Sequence, residues 1–212
     1  MNCCQCQGIE EQFNEQTVSR ELAEYRIHGP RTTTRILVDA LKENGIQGFS
    51  LLDIGGGVGA IQHELLNAGA QNATDVDASR AYLVAAKSEA ERRGLTDRIS
   101  FHHGNFVDMT GQILPADIVT LDRVICCYPH MEELVSLSVA RARKLYGLVY
   151  PRDVWWVKTG IRILNFFFGL SKTKYRTFVH PTQAVETIIN KYGFKRLYYS
   201  QTLIWQVVIY SL

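Results

Sequence analysis

Leu51-Leu52-Asp53-Ile54-Gly55-Gly56-Gly57-Val58-Gly59-Ala60 is the stretch whose reading decides the fold. Ser50 to Ile54 is a short apolar run bounded by turn residues, which suits a buried central strand of a parallel sheet. The glycines that follow tolerate positive φ and leave no Cβ between backbone and ligand. Val58, Ile61, Leu65 and Leu66 then recur at helical spacing, and Gly69 is placed to stop that helix. Free N–H groups at the helix start face the turn, where they can hold a polar or anionic part of a ligand. Gly is costly inside ordered elements, so this density of it calls for a ligand.

Two cofactors use such a turn. The dinucleotide fingerprint G-x-G-x-x-G/A can be laid on Gly55, Gly57 and Ala60. The second pattern is more specific: Asp53-x-Gly55-x-Gly57-x-Gly59. It resembles motif I of the class I S-adenosyl-L-methionine (SAM) methyltransferases. That resemblance implies SAM as cofactor and S-adenosyl-L-homocysteine as product. It places Asp53, Gly55, Gly57 and Gly59 against the cofactor, with Asp53 near the ammonium of its methionine end.

The chain has 212 residues, enough for one sizeable core. Its formal net charge of +2 gives no pull toward nucleic acid. No apolar run reaches the ~18 residues of a membrane span, and no secretory signal opens the chain. A cytoplasmic protein is the default expectation. The five cysteines include adjacent pairs, a poor disulfide framework. Thiolates of Cys3, Cys4 and Cys6 suit Zn or Cu(I), but no Cys-x-x-Cys or nearby His completes a zinc spacing. The reading is a loose, reduced N-terminus and no metal.

Ile9 to Tyr25 reads as one helix, broken by Gly29-Pro30, and Thr32 to Asn44 as a second. Two helices therefore precede the first strand. Ala73 to Asp77 is the second strand, and Asp77 lies about twenty residues past the glycines, where a carboxylate bonds ribose hydroxyls. Asp75 competes for that role. Asp77 is preferred because Ala78-Ser79 carries it straight into a helix, and Ala78 is counted with it in the cofactor set. Ile99 to His103 and Ala116 to Leu121 are the third and fourth strands, followed by Asp122-Arg123. Tyr146 to Pro151 is the fifth, and Lys195 to Ser200 and Leu203 to Tyr210 close the sheet as an antiparallel hairpin.

Residues 152–180 form an insertion rich in Trp, Phe and Leu with Lys158, Arg162, Lys172, Lys174 and Arg176 among them. It suits a roof over an apolar, anionic substrate, or contact with a membrane surface through residues 155–170. A core helix is the third reading of its aromatics.

The order of elements resembles the class I methyltransferase fold over nearly the whole chain. The implied architecture is α/β, Rossmann-like, with seven strands, the last antiparallel, and helices on both faces. Residues 1–48 become a helical lid and residues 49–212 the SAM-binding domain. In that family Asn105 and Phe106 lie beside adenine, and Asp122 and Arg123 join the cofactor set. A narrower resemblance rests on Tyr25-Arg26 before His28-Gly29-Pro30, on Leu121 to Ile125 up to Tyr128-Pro129, and on Ser171 to His180. These are similar to magnesium-protoporphyrin IX O-methyltransferase and its relatives, which methylate a propionate carboxylate. Tyr25 matches the family's N-terminal tyrosine. Cys127 stands where the porphyrin enzymes carry His.

The expected reaction is in-line attack on the sulfonium methyl by a small, largely apolar acceptor, on oxygen and at a carboxylate. Orientation supplies ~7–11 kcal/mol of barrier reduction in such a step. A carboxylate is ionised at neutral pH and needs no base. A phenol or amine needs one, for which His28, His130 and His180 are the candidates beside Tyr25. An NAD-dependent oxidoreductase and a SAM-binding partner protein without catalysis are the alternatives.

Overall fold

A computed structural model describes residues 4–171 and 173–212, with side chains from Gln7 onward. Cys3, the side chains of Cys4 and Cys6, and Lys172 lie outside the described residues. Strands β1 (Ser50–Ile54), β2 (Asn72–Asp77), β3 (Ile99–His103), β4 (Ala116–Asp122), β5 (Ala142–Pro151), β6 (Lys195–Gln201) and β7 (Trp205–Ser211) form one sheet. Its order is β3-β2-β1-β4-β5-β7-β6. Strands β1 to β5 pair in parallel, while β7 runs antiparallel to both β5 and β6. The chain order reverses beside β1, between β2 and β4, which is where open α/β sheets bind ligands.

Helices α4 (Ala60–Asn67) and α5 (Arg80–Arg93) follow β1 and β2, and α6 (Phe106–Met109) and α7 (Met131–Val139) follow β3 and β4. Helices α8 (Trp155–Leu170) and α9 (Thr182–Lys191) lie between β5 and β6. Two buried clusters cover the two faces of the sheet: Leu52, Val119, Leu148 and Val208 point to one side, and Leu51, Ile118, Val149 and Val207 to the other. That alternation is the period-two signature of strands buried on both faces.

Before β1 lie α1 (Cys4–Gln12), α2 (Glu15–His28) and α3 (Thr32–Lys42). The single helix expected from Ile9 to Tyr25 is therefore two. Asn14 is the cause, because its side chain accepts from the Thr17 N–H at 3.1 Å and caps a fresh helix start. Helix α7 ends at Val139, and Ala142 opens β5.

Helix α8 corrects the core reading of the insertion: Val157 is its one buried residue, and Trp155, Phe166 and Leu170 face solvent. Among the described residues no helix is long and apolar enough to cross a membrane.

Candidate functional site

A cavity of about 720 Å³ opens at the carboxyl ends of β1, β2 and β4. The glycine turn forms its floor, and α2 and α3 wall it with Tyr25, His28, Thr34 and Arg35. That volume lies within the range of small-molecule sites.

Asp53 ends β1 inside the sheet, 1% exposed, yet reaches the cavity. Its two oxygens accept from Thr120 Oγ1 at 2.7 Å and Gln62 Nε2 at 3.2 Å. Burial pushes its pKa up to about 7, against those two hydrogen bonds. Gly56 is the point where Asp53, Asp75 and Gln62 converge. A Cβ there would fall 2.6 Å from Asp75 Oδ1 and 3.0 Å from Asp53 Oδ2, so a side chain is barred.

Asp77 lines the cavity at the end of β2, and Asp75 does not. Asp77 accepts from the Gly57 N–H at 3.1 Å and the Ser79 N–H at 2.8 Å, which ties the glycine turn to the start of α5. Burial raises its pKa to about 6. Asp75 is wholly buried, and burial followed by the charges of Asp77 and Asp53 holds its pKa well above the usual range. Gln62 and the Gly56 N–H lie close enough to favour its charged form, but neither completes a hydrogen bond.

Ala78, Asn105 and Phe106 also line the cavity. The Asn105 side chain accepts from the Val107 N–H and donates to the Tyr128 hydroxyl, both at 3.3 Å. Phe106 is 3% exposed and packs in the core as well. Asp122 accepts from Thr34 Oγ1 at 2.5 Å, joining β4 to α3. Arg123 holds a left-handed backbone, φ 62°, and donates to Thr33 Oγ1 at 2.6 Å with its guanidinium 5.5 Å from the Trp205 ring centre. The Arg123 carbonyl takes bonds from both Cys126 and Cys127.

The four residues expected to do chemistry part company here. Tyr25 and His28 line the cavity; His130 and His180 do not. His130 is exposed at the start of α7. His180 Nε2 sits 3.1 Å from the Ile125 carbonyl and 3.0 Å from that of Tyr128, so it ties down the loop after β4. Burial lowers its pKa. The proton on Nε2 is needed for those contacts, which removes that nitrogen as a base. Cys127 lines the cavity with its Sγ 3.0 Å from the Tyr175 hydroxyl. Its hydrogen bond with Cys126 lowers its pKa.

Among the described residues, Lys174 and Arg176 of the insertion's basic run do not line the cavity either. Lys174 pairs with Gln7, and Arg176 donates to the carbonyls of Thr173 and Tyr175. Trp156 and Phe167, two aromatics of the insertion read as a roof, are also outside it; among the described residues of 152–180, Tyr175 and Thr177 line the wall. Sequence reasoning missed Gln62, His63, Thr120 and Arg35. A polar pair at 62–63 inside an apolar helix was the available signal for two of them.

Residues 51–145 match the family model described as a methyltransferase domain. No curated protein matches the chain in sequence. Among solved structures, magnesium protoporphyrin IX methyltransferase from Synechocystis PCC 6803, crystallised with S-adenosyl-L-homocysteine, is similar at TM-score 0.75 and 17% identity. The match covers 98% of this chain and 99% of that one. An O-methyltransferase family protein from Burkholderia thailandensis gives TM-score 0.67 at 16% identity, over 94% of this chain and 60% of that chain. An O-methyltransferase family 2 protein from Planctomyces limnophilus, in complex with apigenin, gives 0.60 at 16%, over 87% and 62%. Residues 51–145 thus carry a methyltransferase domain, and the chain as a whole has the fold of the class I SAM-dependent methyltransferases.

Proposed function

We propose that this protein methylates a carboxylate oxygen of a small, largely apolar acceptor. Asp53 and Asp77, with Gly55, Gly57, Gly59, Ala78, Asn105 and Phe106, take SAM at the glycine turn. Asp122 shapes the same end by holding Thr34. Residues 1–48 act as a helical lid over the SAM-binding domain.

One observation carries the acceptor assignment. Arg35 lines the cavity, and its hydrogen-bond partners among the described residues are the carbonyls of His28 and Pro30, at 3.0 and 3.3 Å. Carbonyls orient a guanidinium and leave its charge uncompensated. An acceptor carboxylate supplies the missing charge in the fork geometry that Arg favours. Arg123, whose charge is paired with Asp122 at 3.6 Å, sets its guanidinium beside the Trp205 ring, an aromatic face suited to an apolar body. The magnesium protoporphyrin enzyme, similar in fold, supports this class of acceptor. The same reading has the protein work in the cytoplasm and meet a membrane surface through residues 155–170, where apolar acceptors concentrate.

Once an acceptor is in hand, single-turnover rates against pH test the reading. A carboxylate stays ionised from about pH 5 upward, so the rate is flat between about pH 6 and 9 wherever SAM is saturating. A steep rise through about pH 6.5 that vanishes in His28→Ala would assign a histidine base and a phenol or amine acceptor.

A further inference from the structure

The outer face of α8 is an apolar surface that the methyltransferase reading leaves unused. Trp155 is 74% exposed, Phe166 and Leu170 are each 65% exposed, and Ile163 and Phe167 are more than half exposed. Monomeric proteins seldom leave so continuous an apolar stripe in water. The stripe does not stop at the helix. Trp156 Nε1 donates to the Leu203 carbonyl at 3.4 Å, and Arg152 bridges to the Thr202 carbonyl at 3.1 Å. The tip of the β6–β7 hairpin is thereby pinned beside the start of α8, and Leu203 there is 72% exposed.

Charge selects the occupant. From Val154 to Val185 the sequence holds no acidic residue and carries Lys158, Arg162, Lys172, Lys174 and Arg176; Asp153, just before it, pairs with Lys158, which leaves the segment net positive. A two-fold interface between copies would set this net positive segment against itself. An anionic surface complements it, and Trp with Lys and Arg around an apolar stripe is the composition of a helix lying in a lipid interface.

We infer that the outer face of α8 and the tip of the β6–β7 hairpin together dock on a bilayer containing anionic lipid. The inference rests on the membrane reading of residues 155–170 and extends it to a second element and to a lipid class. Its consequence is local. The inner face of α8 holds the cavity wall: Asn165 exchanges two hydrogen bonds with Thr177, at 2.7 and 3.0 Å, and Phe168 packs edge-on to Tyr175 at 5.5 Å. Tyr175 and Thr177 both line the cavity, so a docked α8 sets its mouth beside the lipid.

Co-sedimentation of the full chain with phosphatidylcholine vesicles, with and without phosphatidylglycerol, tests the inference. Binding is expected with phosphatidylglycerol only, weakening as salt rises. Trp155→Ser/Phe166→Ser and Leu203→Ser/Ile204→Ser should each lower vesicle binding by at least roughly tenfold, since each removes buried apolar area. Leu114→Ser, at a lone exposed leucine away from this face, should bind as wild type. Should a double variant misfold, brominated phosphatidylglycerol must still quench Trp155 and Trp156 in the wild type. No vesicle binding would overturn the inference together with the membrane reading. Binding unaffected by Leu203→Ser/Ile204→Ser would overturn the inference alone, as would a dimer in sedimentation velocity that Trp155→Ser/Phe166→Ser dissociates. Tight SAM binding and methyl transfer in vesicle-free solution stay separate readouts of the function.

Discussion

The hydroxyl of Tyr25 lies 3.4 Å from Nδ1 of His63, and the two rings stack at 6.0 Å with 18° between their planes. His63 is fully buried on α4, and its Nε2 has no hydrogen-bond partner among the described residues. Burial, aided by the charge of Arg93, lowers the pKa of His63 to about 4, so the ring is neutral at pH 7. A buried N–H without a partner is rarer than a buried lone pair without one. We therefore assign the proton to Nδ1, donating to the Tyr25 oxygen. Tyr25 is then left to aim its own O–H into the cavity it lines.

The first prediction follows from that pair. His63→Leu should raise the acceptor KM by up to roughly tenfold, the worth of a modest hydrogen bond, with SAM affinity unchanged. His63→Asn, whose amide can stand in for the Nδ1–H, should keep most of the function. Steady-state kinetics alongside calorimetric SAM titration separate the two effects. Equal loss in both variants would assign His63 to packing alone.

SAM affinity should rise with pH. SAM carries a sulfonium and an ammonium, and Asp53 and Asp77, the two carboxylates we assign to its site, have pKa values raised to about 7 and about 6, mainly by burial. Both are ionised only above that range, so Kd should fall between about pH 5.5 and 7.5. Asp53→Asn should flatten most of the slope and weaken binding at pH 7.5 by ~1.5–3 kcal/mol. A Kd independent of pH in the wild type would place neither carboxylate against the cofactor's charges.

Asp75 offers a stability test independent of any ligand. A group whose folded pKa is raised contributes fully below its unfolded value, about pH 4, and loses that contribution as pH rises through the folded value. Asp75 is wholly buried without a completed hydrogen bond, so at pH 8 it lowers stability. Asp75→Asn should melt higher than wild type at pH 8, and the difference should shrink toward pH 4. A lower melting temperature at pH 8 would mean that Asp75 holds a bonded partner.

Arg35 and Lys174 separate two sources of acceptor charge. Arg35→Gln should raise the acceptor KM by roughly tenfold or more, the loss of a charge-assisted hydrogen bond, and leave SAM affinity near wild type. Lys174→Gln, whose ammonium bonds Gln7 outside the cavity, should change neither. The reverse pattern would return anion recognition to the insertion.

The strands were legible because they are short apolar runs punctuated by glycine and proline; β3, Ile99–His103, falls where the pattern predicted it. The glycine turn was legible because its backbone chemistry admits few other residues. The N-terminal break at Asn14 was not read, although Asn before Glu15 is a cap signal, because the apolar positions on either side continue in phase. His130 and His180 were chosen for residue type and nearness in sequence to the β4 loop. Their real positions depend on which way α7 and the segment before α9 leave the sheet, a tertiary outcome with no local signature. The same holds for Arg176, which turns toward backbone carbonyls, for Lys174, which bonds Gln7, and for Arg35, which α3 carries to the cavity. The exposed face of α8 could not be told from a core helix by periodicity, since apolar residues lie all round it.

The central claim is methyl transfer to a carboxylate oxygen, and the lability of the transferred methyl tests it most directly. The protein is incubated with methyl-labelled SAM and extract of its source cells, and the product is treated with mild base. A methyl ester hydrolyses and releases its label as volatile methanol, whereas an aryl ether, a methylamine or a C-methyl product retains it. We predict that the label formed by the wild type, and lost in Asp77→Ala, becomes volatile in base. Label that stays with the product after base would contradict the carboxylate assignment.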